Sequence, residues 1–408
     1  MRIYFWIIKL AALFGHAKAR KITEGQKTIW ENCSRMDKTD GWIWFHAASV
    51  GEFEQARPII EKLKEKKPQC KILLTFFSPS GYEMRKDYDK ADNVLYLPFA
   101  TRGNVKRFLD CVRPQMALFI KYEFWPAYLK ELRQRNIPTY LLSAIFRPNQ
   151  LFFKPWGRGY RCLLHCFTRL YVQDEESRTL LNRYGITNTE VVGDTRFDRV
   201  SAIATTAKDI PVVHEFVREQ DNMLLHGAVC PKVIVAGSTW PPDEALLAQY
   251  MEERPDVKLV LVPHEIDEEH LHQIFQLFKG RFVRFSEATN KSVASVRLLL
   301  VDTMGLLSSI YRYGQVGYIG GGFGVGIHNT LEPAVYGIPV IFGPNYHKFR
   351  EAKGLIAAGA AQSVKNYHEF AAAMDDALER HELMGQCAKT YIQSELGATE
   401  KIYNEIFS

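Results

Sequence analysis

The amino-acid sequence predicts an α/β protein made of two doubly wound domains, each a parallel sheet with helices on both faces. Two observations carry the prediction. From Trp42 onward, short apolar segments rich in aromatic and β-branched residues alternate with amphipathic helical stretches. Such alternation marks a parallel sheet buried between helix layers. It pauses between Ala202 and Cys230, where no strand is evident, and restarts at Lys232. A chain of 408 residues, 47% hydrophobic and 24% charged, can bury two such cores without disulfide or metal staples.

The chain divides into segments 1–30, 31–205 and 206–408. In the first, Ile3 to Phe14 is apolar except for Lys9, and Lys18, Arg20, Lys21 and Lys27 follow. As a helix, this run reaches only about 18 Å, short of a hydrocarbon core of about 30 Å. A shallow membrane anchor, a buried structural helix and a signal peptide ending near Ala17-Lys18-Ala19 are the three readings. Basic residues after the apolar run favour the anchor, retained on the cytoplasmic face. In segment 31–205 the strands are Trp42–Ala48, Lys71–Phe77, Val94–Pro98, Met116–Tyr122, Thr139–Ile145 and Arg169–Gln173. A typical intervening helix is Phe53–Lys66, with Ile59, Ile60 and Leu63 on one face. In segment 206–408 they are Lys232–Gly237, Val257–Pro263, Arg281–Phe285, Arg297–Val301, Val316–Ile319 and Pro339–Phe342. A long last helix, 366–406, is broken near Gly397. Two sheets in tandem predict a ligand cleft lined by the carboxyl ends of both strand sets.

The net charge of +6 suits an anionic partner such as a phosphorylated lipid or a membrane surface. No Lys/Arg block resembles a nucleic-acid tail. The seven cysteines are scattered, and only Cys162 and Cys166 are close, as expected of reduced thiols. Asp302 has no second carboxylate beside it. The one Asp-x-Asp, Asp87-Tyr88-Asp89, precedes a strand rather than following one. Neither a metal site nor a cofactor is expected.

Three motifs carry chemistry. His46-Ala47-Ala48-Ser49-Val50-Gly51-Glu52 ends the first strand, and its small residues allow a tight turn into a helix. Glu52 then falls near the helix amino terminus, where free N–H groups and the dipole are expected to keep it ionised. It is either a proton acceptor for a substrate hydroxyl or a plain capping carboxylate. Lys121-Tyr122-Glu123-Phe124-Trp125-Pro126 follows the fourth strand and places Glu123 at a second carboxyl end, with Pro126 at a helix start. Gly320-Gly321-Gly322-Phe323-Gly324-Val325-Gly326 leads into Ile327-His328-Asn329-Thr330-Leu331-Glu332-Pro333-Ala334. Its glycines suit close approach of backbone to a phosphate, with amides near Asn329 facing it and Glu332 accepting from ribose hydroxyls; a structural glycine turn is the alternative. Gly237-Ser238-Thr239, Pro263-His264-Glu265 and Asp302-Thr303-Met304-Gly305 follow other strands and would line the same cleft. The stretch from Phe146 to Arg158 interleaves aromatics with cations, either touching acyl chains and lipid phosphates or forming a basic turn over a core.

Together these motifs resemble the Kdo transferases, which move 3-deoxy-D-manno-octulosonic acid (Kdo) from CMP-Kdo to a lipid A precursor. The matching text is "HAASVGE", "YLPF", "KYEFWP", "GDTRFD", "GST", "DTMG", "GGGFGVGIHNTLEPAVYGIPVIFGP" and "KF-EA", in the family's order. The resemblance implies a GT-B fold, an inverting glycosyltransferase, the acceptor on the first domain and CMP-Kdo mainly on the second, at the cytoplasmic face of the inner membrane. It implies Glu52 as general base, with Glu123 a second acid of the acceptor side. Ser49, Gly51, Ser238, Thr239, Pro263, His264, Thr303, Met304, Gly305, Gly321, Gly322, His328, Asn329, Thr330, Leu331 and Glu332 are the expected substrate and CMP-binding residues. There are departures. Pro263-His264 lacks the Arg of the family's Pro-Arg-His, Leu306 replaces an acid, and Ser143-Ala144-Ile145 stands for Asn-Ala-Arg, where Arg147 is a candidate substitute. Asp194 and Arg196 stand for Asn and Lys. The rival readings are another GT-B enzyme using a UDP-sugar, as transferase or 2-epimerase, and a non-catalytic membrane scaffold, against which the intact Glu52, Glu123 and Glu332 argue.

Overall fold

The computed structural model describes residues 2–36, 41–218, 232–324 and 326–408. It forms two compact units, one of Met1–Arg199 with Leu396–Ser408 and one of Val200–Glu395.

In the first unit, β1 (Trp42–Ala47), β2 (Lys71–Phe76), β3 (Asn93–Tyr96), β4 (Pro114–Ile120), β5 (Thr139–Ala144), β6 (Arg169–Val172) and β7 (Thr189–Val191) form a sheet ordered β3-β2-β1-β4-β5-β6-β7. Every neighbouring pair is parallel. All of β1 is buried, as a central strand covered on both faces must be. From β1 the chain winds outward through β2 and β3, then returns to lay β4 on the other side of β1. The β1/β4 seam is therefore a topological switch point, and the crevice outside its carboxyl ends is where open α/β sheets bind ligands.

The second unit repeats the plan. Its strands are β8 (Lys232–Thr239), β9 (Val257–Pro263), β10 (Val283–Arg284), β11 (Leu298–Leu300), β12 (Val316–Ile319), β13 (Val340–Phe342) and β14 (Ala361–Ser363). The order is β10-β11-β9-β8-β12-β13-β14, again with parallel pairs throughout. Here the switch point is the β8/β12 seam.

Two edge strands, β7 and β14, were not predicted. Each is three residues long, paired on one side only, and lacks an apolar run. The predicted Arg281–Phe285 shrinks to the two residues of β10. The pause from Ala202 holds the end of the helix Thr195–Thr205 and the helix Pro211–Val217, with non-helical residues 206–210 between them. Residues 219–231 lie outside the described residues.

The division between units differs from the expected 205/206 boundary in two ways. It falls after Arg199, and the chain end returns to the first unit. The expected long last helix is three, Tyr367–Glu379, His381–Ser394 and Ala398–Phe407. Gly397 breaks it at φ 103°, a left-handed conformation that favours glycine. The Asp198 carboxylate then accepts from Gly397 N and Thr399 N, both at 2.7 Å, capping the final helix. Ile402, Tyr403 and Phe407 complete a core with Phe45, Phe53 and Ile60.

The amino-terminal segment is a helical hairpin, α1 (Arg2–Leu13) and α2 (Ala17–Arg35). Phe5 and Ile8 are buried in the first unit's core, while Trp6, Ile7, Leu10, Leu13 and Phe14 are exposed. Gln26 of α2 stitches the hairpin to the chain after β3, donating to Leu97 O and accepting from Phe99 N, both at 2.9 Å. Among the described residues no helix is long and apolar enough to cross a membrane.

Asp198→Ala leaves two amides of the final helix without their acceptor. Thermal unfolding is expected to show a loss of about 1–3 kcal/mol, and limited proteolysis to clip near Gly397 first.

Candidate active site

At the first switch point, α3 (Val50–Lys66) starts directly after the β1 turn, and Glu52 lies in its first turn. Glu52 does not cap its own helix. Its Oε2 accepts from Ala48 N at 2.5 Å, closing the turn that delivers the chain from β1. The expectation that the helix terminus keeps Glu52 fully ionised is corrected here. Burial, then the nearby charge of Glu123, raise its pKa from 4.5 to about 7, against the pull of Ala48 N–H, His46 and Lys121. Desolvation and a like charge together outweigh the dipole. A carboxyl with a pKa near 7 has the proton affinity that a general base at neutral pH needs.

Glu123 is held from the other side of the seam. Its Oε2 accepts from His46 Nε2 at 2.9 Å and from Trp125 Nε1 at 2.6 Å. His46 is fully buried. Its Nδ1 meets Thr75 Oγ1 at 2.9 Å, and Trp44 Nε1 donates to that same hydroxyl at 2.8 Å. His46 thus bridges β1, β2 and the loop after β4. Sequence reasoning quoted His46 but gave it no role. Its signal was a ring nitrogen pair on a strand that is otherwise apolar, where each nitrogen needs a partner. Ser49 is the α3 N-cap residue without a side-chain cap bond, and a Cβ on Gly51 would meet open space, so the turn leaves room beside Glu52.

Asp194 and Arg196 pair with each other. Arg196 meets the Asp194 carboxylate through Nε at 2.9 Å and Nη2 at 2.7 Å, and Gln55 donates to it from α3 at 3.1 Å. Burial pushes the Asp194 carboxyl up, but Arg196 outweighs it and the net shift is downward. Arg147, the candidate substitute cation, donates to Tyr122 Oη at 3.4 Å. In the stretch 146–158, Phe146, Phe152 and Phe153 are buried, so its aromatics mostly build core; Trp156 is 76% exposed.

At the second switch point the glycine loop follows β12. A Cβ on Gly320 would lie 2.2 Å from Ser238 O, and one on Gly322 would lie 2.6 Å from Gly343 Cα. These glycines are required by the protein's own backbone, with Ser238 itself at φ 53°. The Gly321 amide donates to Asp243 Oδ2 at 2.9 Å. The same carboxylate accepts from Trp240 N at 3.0 Å and Tyr318 Oη at 2.6 Å. Asp243 thereby ties the β8 turn, β12 and the loop together, a role the sequence did not suggest. The helix Pro241–Glu253 opens on two prolines, which carry no N–H, so its start is poorly equipped to bind an anion.

Trp240, His264 and His328 form a stack of rings, with centroids 4.9 Å apart for Trp240–His264 and 4.4 Å for His264–His328. Burial, then His264, lower the His328 pKa to about 4, so it is neutral and accepts from Trp240 Nε1 at 3.2 Å. Asn329 accepts from Leu331 N and donates to Glu332 Oε1 at 3.0 Å, fixing that carboxylate. Met304 is 69% exposed beside Gly305 at φ 85°. Other expected residues point inward. The Thr239 hydroxyl donates to buried Glu244 at 2.9 Å, and Pro263, Thr330 and Leu331 are buried. Asp302 accepts from Ser286 N and Oγ, which uses its carboxylate as a loop brace.

Comparison with known proteins shows what the chain is similar to. Residues 14–199 match the family described as 3-deoxy-D-manno-octulosonic-acid transferase (kdotransferase). A 3-deoxy-D-manno-octulosonic acid transferase of Aquifex aeolicus is 29% identical over 345 residues, covering 83% of this chain and 86% of that protein. One of Bordetella pertussis is 27% identical, covering 88% and 85%. By sequence the chain is similar to the Kdo transferases. By structure it is similar to UDP-GlcNAc 2-epimerase from Neisseria meningitidis, at TM-score 0.62 and 16% identity over 89% of this chain and 98% of that one. That likeness shows a shared fold of two α/β units. The part matching the Kdo transferase family includes both Glu52 and Glu123.

Glu52 holds its proton more tightly folded than unfolded, so its ionised form costs stability, absent below pH 4.5 and full above about 7. Glu52→Gln is expected to melt higher than wild type at pH 8, by up to about 3 kcal/mol, with the gain gone at pH 4. Melting curves at the two pH values check the sign. Asp243→Ala, which frees the Gly321 amide and the Tyr318 hydroxyl, is expected to weaken CMP binding about tenfold by calorimetry, from the misplaced loop.

Proposed function

We propose that the protein transfers Kdo from CMP-Kdo to the lipid A precursor lipid IVA, with inversion, in building the lipopolysaccharide inner core. The observation that carries this reading is Glu52. It sits in the Ser-Val-Gly-Glu motif at the first switch point, with a pKa near 7 and a second carboxylate, Glu123, beside it. Kinship with Kdo transferases over most of the chain supports the donor.

In the mechanism, ionised Glu52 takes the proton of the acceptor's primary hydroxyl as its oxygen attacks the anomeric carbon of Kdo. Attack from the face opposite CMP inverts that centre. Glu123 is fixed by His46 and Trp125, so its charge keeps Glu52 basic without moving. The donor rests on the second unit, with Glu332 accepting from the ribose. Amides of the loop after β12 stabilise the leaving phosphate. The ring stack at Trp240, His264 and His328 stands where the family's Arg is missing.

Placement on the cytoplasmic face of the inner membrane belongs to the same proposal. The exposed face of α1 is apolar, and the basic residues Lys18, Arg20, Lys21 and Lys27 follow it, a combination suited to lying in an anionic interface. The rival reading, a UDP-sugar enzyme, rests on fold alone, because the 2-epimerase is only 16% identical.

The test is transfer from CMP-Kdo, regenerated in situ, to tetraacyl lipid A precursor in detergent, read by mass spectrometry with EDTA added after regeneration. A mass gain of one or more Kdo units is expected, undiminished by EDTA and lost in Glu52→Ala. No gain from CMP-Kdo, with UDP-sugars consumed instead, overturns the proposal.

A further inference from the structure

The α1 helix has a second face that its outward apolar residues do not use. Phe5 points into the first unit, 4% exposed, and stacks on Phe99 with centroids 4.6 Å apart. It also lies parallel to the Trp125 ring, 6.4 Å between centroids and 8° between planes. Phe77 packs against Trp125 at 4.9 Å. Trp125 is thus confined by aromatic rings, and its one polar atom, Nε1, donates to Glu123 Oε2 at 2.6 Å. Phe99 is itself held by α2, its backbone N–H donating a hydrogen bond to Gln26 Oε1. A continuous chain of contacts therefore runs from the amino-terminal hairpin to the carboxylate beside Glu52.

We infer that Phe5 is a positioning residue for the transfer reaction: through Trp125 it sets the place of Glu123, so the amino-terminal helix is part of the catalytic unit as well as its link to the membrane. The physical reason is rotamer confinement. A buried indole keeps one orientation only while its neighbours fill the space around it. Removing the Phe5 ring lets Trp125 relax into the gap and drags its hydrogen bond from Glu123. His46 alone then holds that carboxylate, on one side. The two faces of α1 have separable tasks, because Trp6, Leu10 and Leu13 point away from this cluster and are exposed.

This inference rests on the Kdo-transferase reading, and the experiment separates the two. Phe5→Ala and Phe5→Leu are made in the full chain and assayed in detergent against wild type, with sedimentation on vesicles containing anionic phospholipid and a melting curve for each. Phe5→Ala is expected to lower kcat about tenfold and raise KM for the lipid acceptor, because a misplaced acid costs both orientation and binding. KM for CMP-Kdo and vesicle binding are expected to hold, and Phe5→Leu, which refills most of the space, to recover most of the rate. A merely destabilised protein would lose kcat through a smaller active fraction with both KM values unchanged. Such a result, or full activity in Phe5→Ala, overturns the inference and leaves the function standing. A wild type that consumes no CMP-Kdo fails the function itself.

Discussion

Each sheet reverses its winding once, and the functional chemistry of the molecule depends on that reversal. A parallel strand must be followed by a crossover, so adjacent strands at a switch point send their connections in opposite directions and leave a crevice open between them. At the β1/β4 seam the crevice receives Glu52 from one loop and Glu123 from the other. At the β8/β12 seam it receives the Ser238 turn and the glycine loop. The hydrogen bond from His46 to Glu123 spans the first seam, and the bond from Gly321 to Asp243 spans the second. In both units one buried polar side chain converts strand adjacency into a fixed spacing between two loops.

The two seams spend their buried charge differently. In the first, Glu52 is buried and kept near another carboxylate, and burial, then that charge, raise its pKa. In the second, burial also pushes the Asp243 carboxyl up, against three hydrogen-bond donors that hold it in place, so that side chain serves geometry. The first arrangement stores reactivity and the second removes freedom. The proposed base, which takes a proton at neutral pH, and the proposed phosphate loop, which presents fixed amides, suit those different arrangements. Strain and unfavourable charge at a site are sustained by the surrounding fold, and here the aromatic cluster of Phe5, Phe77, Phe99 and Trp125 backs the first seam.

Most of the fold was legible in the sequence because central parallel strands are continuous apolar runs. β9 and β12 were predicted to the residue, and β1, β2 and β5 to within one. β7 and β14 were not, since a three-residue edge strand carries no such run. The candidate site was legible as motifs but not as electrostatics. Glu52 is visible as an acid at a helix start, yet its pKa follows from burial and from Glu123, which folding alone brings near. The roles of His46, Asp243 and Gln26 were hidden for the same reason. Their partners lie 77, 78 and 71 residues away in the chain, beyond any local pattern. The return of Leu396–Ser408 to the first unit was equally invisible, because it depends on two bonds to Asp198 from amides about 200 residues later.

The central claim is a division of labour, with the base on the first unit and the donor site on the second. Titrating CMP-Kdo into Glu52→Gln and wild type, then following a single turnover with acceptor by rapid quench, tests it most directly. The account predicts equal donor affinity in the two proteins and a chemical step slowed by about two to four orders of magnitude in the variant, the range for a lost general base. A variant that binds CMP-Kdo normally and turns over at the wild-type rate would contradict it, and so would one whose entire defect is lost donor binding.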